Sequence, residues 1–414
     1  MPIRKRSGMV RGSWFVVCGW VAACASGQTA PTQPSPLPPV LGEIDRIVRE
    51  KFFDPKLKGV DWGAAVTKAA AELARDPHPS VSEQNAIYDR LLATLEDSHT
   101  FRVPAGKLPN RQWATAGLRI GRDGDGYAVK GVVPGGAADR AGFRIGDRVL
   151  SVDGRAYGRD RVNFRDLFFV FEGFPGTAVE VTWQRPGEPP RTEKLVRMPE
   201  EPGDALVWKS ARLIRRGGKS YGYARLWGMS GETALAIVDM LSDRAEVARQ
   251  RPALAGWDGI DGFLLDVRGN SGGYEPDILP TFLRGRWNAA DYLLIARDGK
   301  RLFPPEYEPL PVALLTNSGT ASAGEALALK FQTHKIGPVV GESTAGMMSG
   351  GATAERLPDG SMLWYSARAI EGLDGKIYEG RGVEPNVAVA DRPPAEEGQE
   401  DPILDAAVKA LSSR

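Results

Sequence analysis

A serine at the mouth of a helix is the residue in this chain best placed to do chemistry. The segment TNSGTASAGEALALKF (316–331) follows an apolar run, PVALL (311–315), and opens a helical pattern through a turn of small residues. A buried strand can deliver a nucleophilic serine, here Ser322, to a helix N-terminus in this way. Small residues let backbone N–H groups and a substrate come close, and the helix N-terminus favours developing negative charge. Ser322 and Glu325 also fit an S-x-x-E capping box, which a plain N-cap serine would satisfy equally. Three further segments stand out: DVRGNSGG (266–273), LEDSHT (95–100) and GESTAGMMSG (341–350).

In DVRGNSGG a strand ends at Asp266-Val267-Arg268 and turns through Gly269, Asn270, Gly272 and Gly273. Glycines at a strand end permit close backbone approach and unusual dihedrals, so the turn can aim N–H groups at an oxyanion. A phosphate cradle is the alternative, but no lysine follows as a Walker motif requires.

The elements that must position these segments fall into blocks. Residues 40–110 read mostly as helix: VLGEIDRIVREKFF (40–53) puts Leu41, Ile44, Ile47 and Val48 on one face, DWGAAVTKAAAELARD (61–76) is alanine-rich, and SEQNAIYDRLLATLED (82–97) starts at Ser82, a candidate N-cap. From about residue 114 the period switches to two, with glycine-rich turns. Residues 200–394 alternate short apolar runs such as GFLLDV (262–267) and GPVVGE (337–342) with helical patterns at 231–249 and 322–333. RLPDGSMLWYSAR (356–368) reads as a hairpin.

The stretch YAVKGVVPGGAADRAGFRIGDRVLSVDGRAY (127–157), with GDRVLSVDG (146–154) at its heart, resembles a PDZ domain of the bacterial protease type, as does GFPGTAVEVTW (173–183). That resemblance covers 114–198. It implies that the stretch around Gly117, Leu118, Arg119 and Ile120 receives a peptide C-terminus, its N–H groups binding the carboxylate while the peptide adds as a strand. A spacer with no ligand is the alternative.

The DSHT, DxRxNxGG and TASAGE segments occur in the order found in peptidase family S41, the C-terminal processing and tricorn-type serine peptidases, and the chain is similar to that family over 40–394. The resemblance implies an α/β fold class: a crotonase/ClpP-like α/β peptidase core with an N-terminal helical domain and an inserted PDZ domain. The expected boundaries are 40–113 for the helical domain, 114–198 for the PDZ domain, 199–394 for the core and 395–414 for a C-terminal helix. By residue match, Ser322 falls on the family nucleophile, and the N–H groups of Gly272 or Gly273 and of Ala323 on the oxyanion hole.

The chain departs from the C-terminal processing branch at one position. That branch has a general-base lysine in a GExTxGKG-like motif, whereas Met347 stands there in Gly341–Met348. A thioether cannot take the serine proton, and Lys330, Lys335 and Lys376 are not at the motif position. Histidine is the natural base near neutral pH. His99 matches the catalytic histidine of the tricorn-like branch, Ser98 a serine linking that histidine to an acid, and Glu379 in IYEGRGVEP (377–385) the acid. His78 and His334 read as loop and helix-end residues. The resemblance thus implies hydrolysis of polypeptides by acyl transfer through Ser322, which needs no metal or cofactor. A PDZ-containing adaptor with an inactive peptidase body is the rival from another class, and a crotonase-type acyl-CoA enzyme a third.

The ends and the composition add location. Arg4, Lys5, Arg6 and Arg11 precede an apolar stretch from Trp14 to Ala23, which reads as a signal peptide. Val21-Ala22-Ala23-Cys24 looks like a lipobox, making Cys24 the lipid-bearing N-terminus; a non-lipidated signal cut nearby is the alternative. The expected place is the periplasm, anchored to the outer membrane, or else secretion. Residues 25–39, rich in Pro, Ser, Thr and Gln, read as a tether. Both cysteines, Cys18 and Cys24, lie in the leader, so no disulfide framework or cysteine metal site is expected, and only three histidines remain for any zinc site. Losing residues 1–23, with four basic residues and no acid, takes the net charge from +1 to −3. Nothing there points to nucleic acid. Oligomeric state is left open.

Overall fold

The structure, a computed structural model, describes residues 37–105, 114–159, 162–274, 278–285, 294–295, 301–302, 309–392 and 401–412. The leader with Cys24, and the tether up to residue 36, lie outside the described residues.

Three helices open the described chain: α1 (Pro39–Lys51), α2 (Trp62–Leu73) and α3 (Val81–Ala93). Leu41, Ile44, Ile47 and Val48 recur at helical spacing and are fully buried. The N-cap of α3 is Ser80, not Ser82: Glu83, three residues on, returns a carboxylate to the Ser80 N–H at 2.8 Å and completes a capping box. This helical layer packs on Leu357, Leu363 and Tyr365 of the antiparallel hairpin Ala352–Arg356/Met362–Ser366. Phe101–Val103 adds to the same hairpin, Phe101 opposite Trp364. The stretch expected to be mostly helical therefore ends in a strand of a sheet that it shares with the core. That pairing fixes where residues 97–100 lie.

The next unit is a sheet with strand order β1 (Leu118–Asp123), β2 (Gly126–Val132), β3 (Arg148–Val152), β4 (Ala178–Gln184), β5 (Arg191–Val196). Alternate residues such as Val179, Val181 and Trp183 point into its core, as the two-residue period requires. A short helix, α4 (Phe164–Leu167), precedes β4.

The last unit is a six-stranded sheet in the order β6 (Arg212–Arg216), β7 (Lys219–Arg225), β8 (Gly262–Asp266), β9 (Val312–Thr316), β10 (Val339–Gly341), β11 (Val387–Ala388). All pairs are parallel except β6 with β7. Phe263, Leu265, Val312 and Leu314 face one layer of helices, including α5 (Gly231–Ser242) and α6 (Ala323–Thr333). Leu264, Ala313 and Leu315 face the C-terminal helix α7 (Pro402–Ser412) on the other side. Both faces are covered, which is why these strands read as continuous apolar runs. The helical pattern at 231–249 is broken at Asp243, whose side chain caps a second short helix.

Candidate active site

Ser322 follows β9 through the turn Asn317–Ala321 and is the residue just before α6. Its backbone is at φ 52°, ψ −119°, a left-handed conformation that costs a non-glycine residue on the order of 1–3 kcal/mol. Such strain turns the serine side chain outward from a sharp strand-to-helix corner, as in a nucleophile elbow. The corner is held by its neighbours. The Ser322 N–H donates to Met347 O at 3.1 Å and to Glu325 Oε2 at 3.0 Å. The glutamate half of the expected capping box is thus present, and the Glu325 N–H goes to the Ser322 carbonyl at 2.9 Å. Burial pushes the Glu325 carboxyl up to about 7, against four hydrogen bonds that lower it.

The DVRGNSGG turn lies against this corner. Asn270 is fully buried; its Nδ2 donates to Leu226 O at 2.8 Å and its carbonyl accepts the Ala321 N–H at 2.9 Å. A Cβ on Gly272 would sit 2.5 Å from the Ser322 Cβ, and one on Gly273 2.2 Å from Met229 O. Glycine is required at both for close approach. Of the two glycines expected as donors, Gly272 has its N–H taken by Asn270 Oδ1 at 2.8 Å, because the turn closes on its own asparagine. The N–H groups of Gly273 and Ala323 are taken by no described residue. Both remain available as donors beside Ser322.

His99, expected as the base, lines the same cavity as Ser322, Gly272 and Gly273, a space of about 510 Å³. Residues 97–100 form the turn between α3 and the strand at Phe101, and Asp97 ties it down. Its Oδ1 accepts from the His99 N–H, the Thr100 hydroxyl and the Ser366 hydroxyl at 3.2, 2.7 and 2.7 Å. In the sequence Asp97 is marked only by its place two residues before a candidate histidine, an ordinary Asx-turn signal.

Ser98 Oγ lies 2.8 Å from His99 Nδ1 and donates to Glu379 Oε2 at 3.0 Å, while Glu379 Oε1 accepts the Ser98 N–H at 2.8 Å. Ser98 has one hydroxyl proton, and it goes to Glu379. His99 Nδ1 must then carry a proton and donate it to Ser98, which leaves Nε2 as the lone-pair nitrogen. The residues expected as base, link and acid therefore form one hydrogen-bonded chain. Burial lowers the His99 imidazole to about 4, with the Asp97 charge opposing. Burial first, then the Asp97 charge, raises the Glu379 carboxyl to about 7.

Met347 is buried among apolar residues that include Phe101 and Ala321, so no amine occupies the lysine position. Lys376 is exposed and paired with Asp374 at 2.9 Å. A lysine that sequence reasoning passed over, Lys130 on β2, is almost fully buried and paired with Glu342 at 3.1 Å. With Asn317 Nδ2 donating to Lys130 O at 3.1 Å, it fastens the middle sheet to the turn before Ser322.

The middle unit also reaches the turn that carries His99. Phe164 on α4 stacks on the His99 ring with centroids 4.6 Å apart, and its N–H donates to Ser98 O at 2.8 Å. Of the residues expected to receive a peptide C-terminus, Gly117 donates its N–H to Thr115 Oγ1 at 3.0 Å, which corrects that expectation, since the donor is engaged within the protein. Leu118 and Ile120 face the sheet's own core, and the buried Arg119 reaches Glu200 at 3.2 Å.

Residues 220–389 match the family model described as peptidase family S41, and residues 129–185 the one described as a PDZ domain. The chain is 27% identical over 370 residues to the chloroplastic C-terminal processing peptidase of Tetradesmus obliquus, covering 83% of this chain and 75% of that one. It is 27% identical over 390 residues to tricorn protease homolog 1 of Streptomyces coelicolor, covering 88% of this chain and 34% of that one. The chain spans about a third of the length of the tricorn relatives it matches. Among solved structures, the photosystem II D1 C-terminal processing protease shares the fold at a TM-score of 0.56 and 24% identity, covering 90% of this chain and 96% of that one.

Proposed function

From the peptidase family S41 core and the PDZ domain that this chain carries, we propose that it is a serine endopeptidase acting on polypeptides through Ser322, His99 and Glu379. The observation that carries this reading is the chain from Glu379 through Ser98 to His99, which ends at the cavity that Ser322 lines. His99 Nε2 takes the proton as Ser322 Oγ attacks the scissile carbonyl. The Gly273 and Ala323 N–H groups, the latter at the start of α6, receive the oxyanion. The imidazolium returns its proton to the leaving amine, and Glu379 stabilises the cation through the Ser98 hydroxyl. Water then repeats the sequence on the acyl-enzyme.

The PDZ domain captures polypeptide ends, with Leu118, Arg119 and Ile120 on the strand a bound peptide would extend. The lipobox reading of Cys24 places the enzyme on a membrane facing the periplasm, and the tether holds the body off the surface. The test is a peptide-hydrolysis assay paired with a serine-reactive fluorophosphonate. Ser322→Ala should abolish turnover and labelling while the fold persists. A wild-type protein that neither cleaves nor labels but still binds peptides would favour the adaptor reading instead.

A further inference from the structure

We propose that Glu325, a residue to which the mechanism above gives no part, is a positioning residue that sets the nucleophile turn against the turn carrying Glu379. An ordinary helix cap needs only the Ser322 N–H. Here the carboxylate collects three further donors from one loop. Oε2 accepts from Ser322 N at 3.0 Å and Met347 N at 2.8 Å, and Oε1 from Gly346 N at 2.8 Å and the Thr344 hydroxyl at 2.6 Å. The side chain is fully buried, and no Lys, Arg or His among the described residues is paired with it.

The loop that Glu325 grips is itself tied to the acid. Thr344 Oγ1 accepts the Val383 N–H at 2.8 Å, and Gly346 O accepts the Gly380 N–H at 2.8 Å, one residue from Glu379. The Met347 carbonyl closes the circuit on the Ser322 N–H at 3.1 Å. One buried carboxylate thus joins α6, the loop 344–347 and the turn 379–383. Both oxygens act as acceptors, each from two donors. An amide at this position would set an NH₂ against two of them, and a buried donor facing donors is unsatisfied. The strained Ser322 backbone persists only where its surroundings over-determine it, and these bonds are those surroundings.

This inference rests on Ser322 being the nucleophile, and its test separates the two claims. Glu325→Gln is compared with wild type and Ser322→Ala for kcat and KM on peptides, with rates normalised to fluorophosphonate-titrated sites. The expected result is a fall in kcat of about 100-fold per titrated site, as for an ångström-scale misplacement, with KM within about twofold. A merely structural role would lower the melting temperature and the titratable fraction but leave kcat per site intact, and that result overturns the proposal. If Glu325→Gln does not fold, Thr344→Val, which removes one donor and keeps the charge, should lower kcat in the same direction, and an unchanged kcat overturns it. A crystal structure of Glu325→Gln decides the point even without turnover. Ser322 should leave its positive φ, and an unmoved Ser322 and 344–347 loop would refute the positioning role. Activity that survives in Ser322→Ala sinks the nucleophile reading instead.

Discussion

At the scale of single residues, the proposed acid is one of the carboxyls that burial raises toward neutrality, and the one joined to the histidine. Glu379 is raised to about 7 and His99 lowered to about 4. Below about pH 7 a protonated Glu379 becomes a donor to Ser98 Oγ. The Ser98 proton then turns to His99 Nδ1, the ring shifts its own proton to Nε2, and the base is lost. The sign follows: kcat/KM should rise as pH increases through about 7 and level off above it. In Glu379→Gln that limb should disappear from the profile, with residual activity much less dependent on pH between about 5 and 8. A limb unchanged in Glu379→Gln would assign it to another group. His99→Ala should cost several orders of magnitude in kcat/KM, the loss expected on removing the proposed base. Met347→Leu should be close to silent in both rate and melting temperature, because the site takes an apolar side chain of similar volume.

At the scale of elements, two short segments control the histidine and the serine. Phe164 stacks on His99 and contributes to the burial that depresses its imidazole. Phe164→Ala should raise the His99 pKa toward its ordinary value, readable by NMR titration of the ring. It should also cost about 3 kcal/mol of stability for the lost buried aromatic. A histidine titration that does not move would detach α4 from the base. The DVRGNSGG turn is the other segment. Gly272 sits at φ 84° with no room for a Cβ. Gly272→Ala should therefore push the Ser322 corner aside and abolish fluorophosphonate labelling, even where circular dichroism shows a folded protein.

At the scale of the whole molecule, the sheet is closed by α7. Leu404, Ala407, Val408 and Leu411 cover Tyr221, Leu264, Ala313, Leu315 and Val340. The helix is also anchored by Arg268, which bridges Asp266 at 2.7 Å and Asp401 at 2.8 Å. Truncation before residue 401 should bare that face. The burial lost is about 1.5–3 kcal/mol for each large side chain uncovered, so the product should be insoluble or unfolded rather than merely inactive. A soluble, cooperatively melting truncation would contradict this. Outside the described residues, Cys24→Ser should move the protein from the membrane fraction to the soluble periplasmic extract. Wild-type protein already found in that extract would remove the anchor.

What the sequence determined by itself was whatever local period and local chemistry encode. The apolar runs at 262–267 and 311–317 announced strands covered on both faces. The spacing of Leu41, Ile44, Ile47 and Val48 announced a helix face, and TNSGTASAGE announced a strand-to-helix corner. Met347 in place of a lysine excluded one base on side-chain chemistry alone. The tertiary structure decided what depends on groups distant in sequence. That Ser98 bonds Glu379 is a matter of a hairpin pairing Phe101 with Trp364, which no local pattern shows. That Asn270 takes the Gly272 N–H, and that Glu325 gathers donors from 344–347, depends on which donors the fold brings within 3 Å of an acceptor. The depressed imidazole of His99 has the same origin. Desolvation is a property of the packed neighbourhood, and Phe164 is brought there by a domain that the sequence could place only in order, not in space.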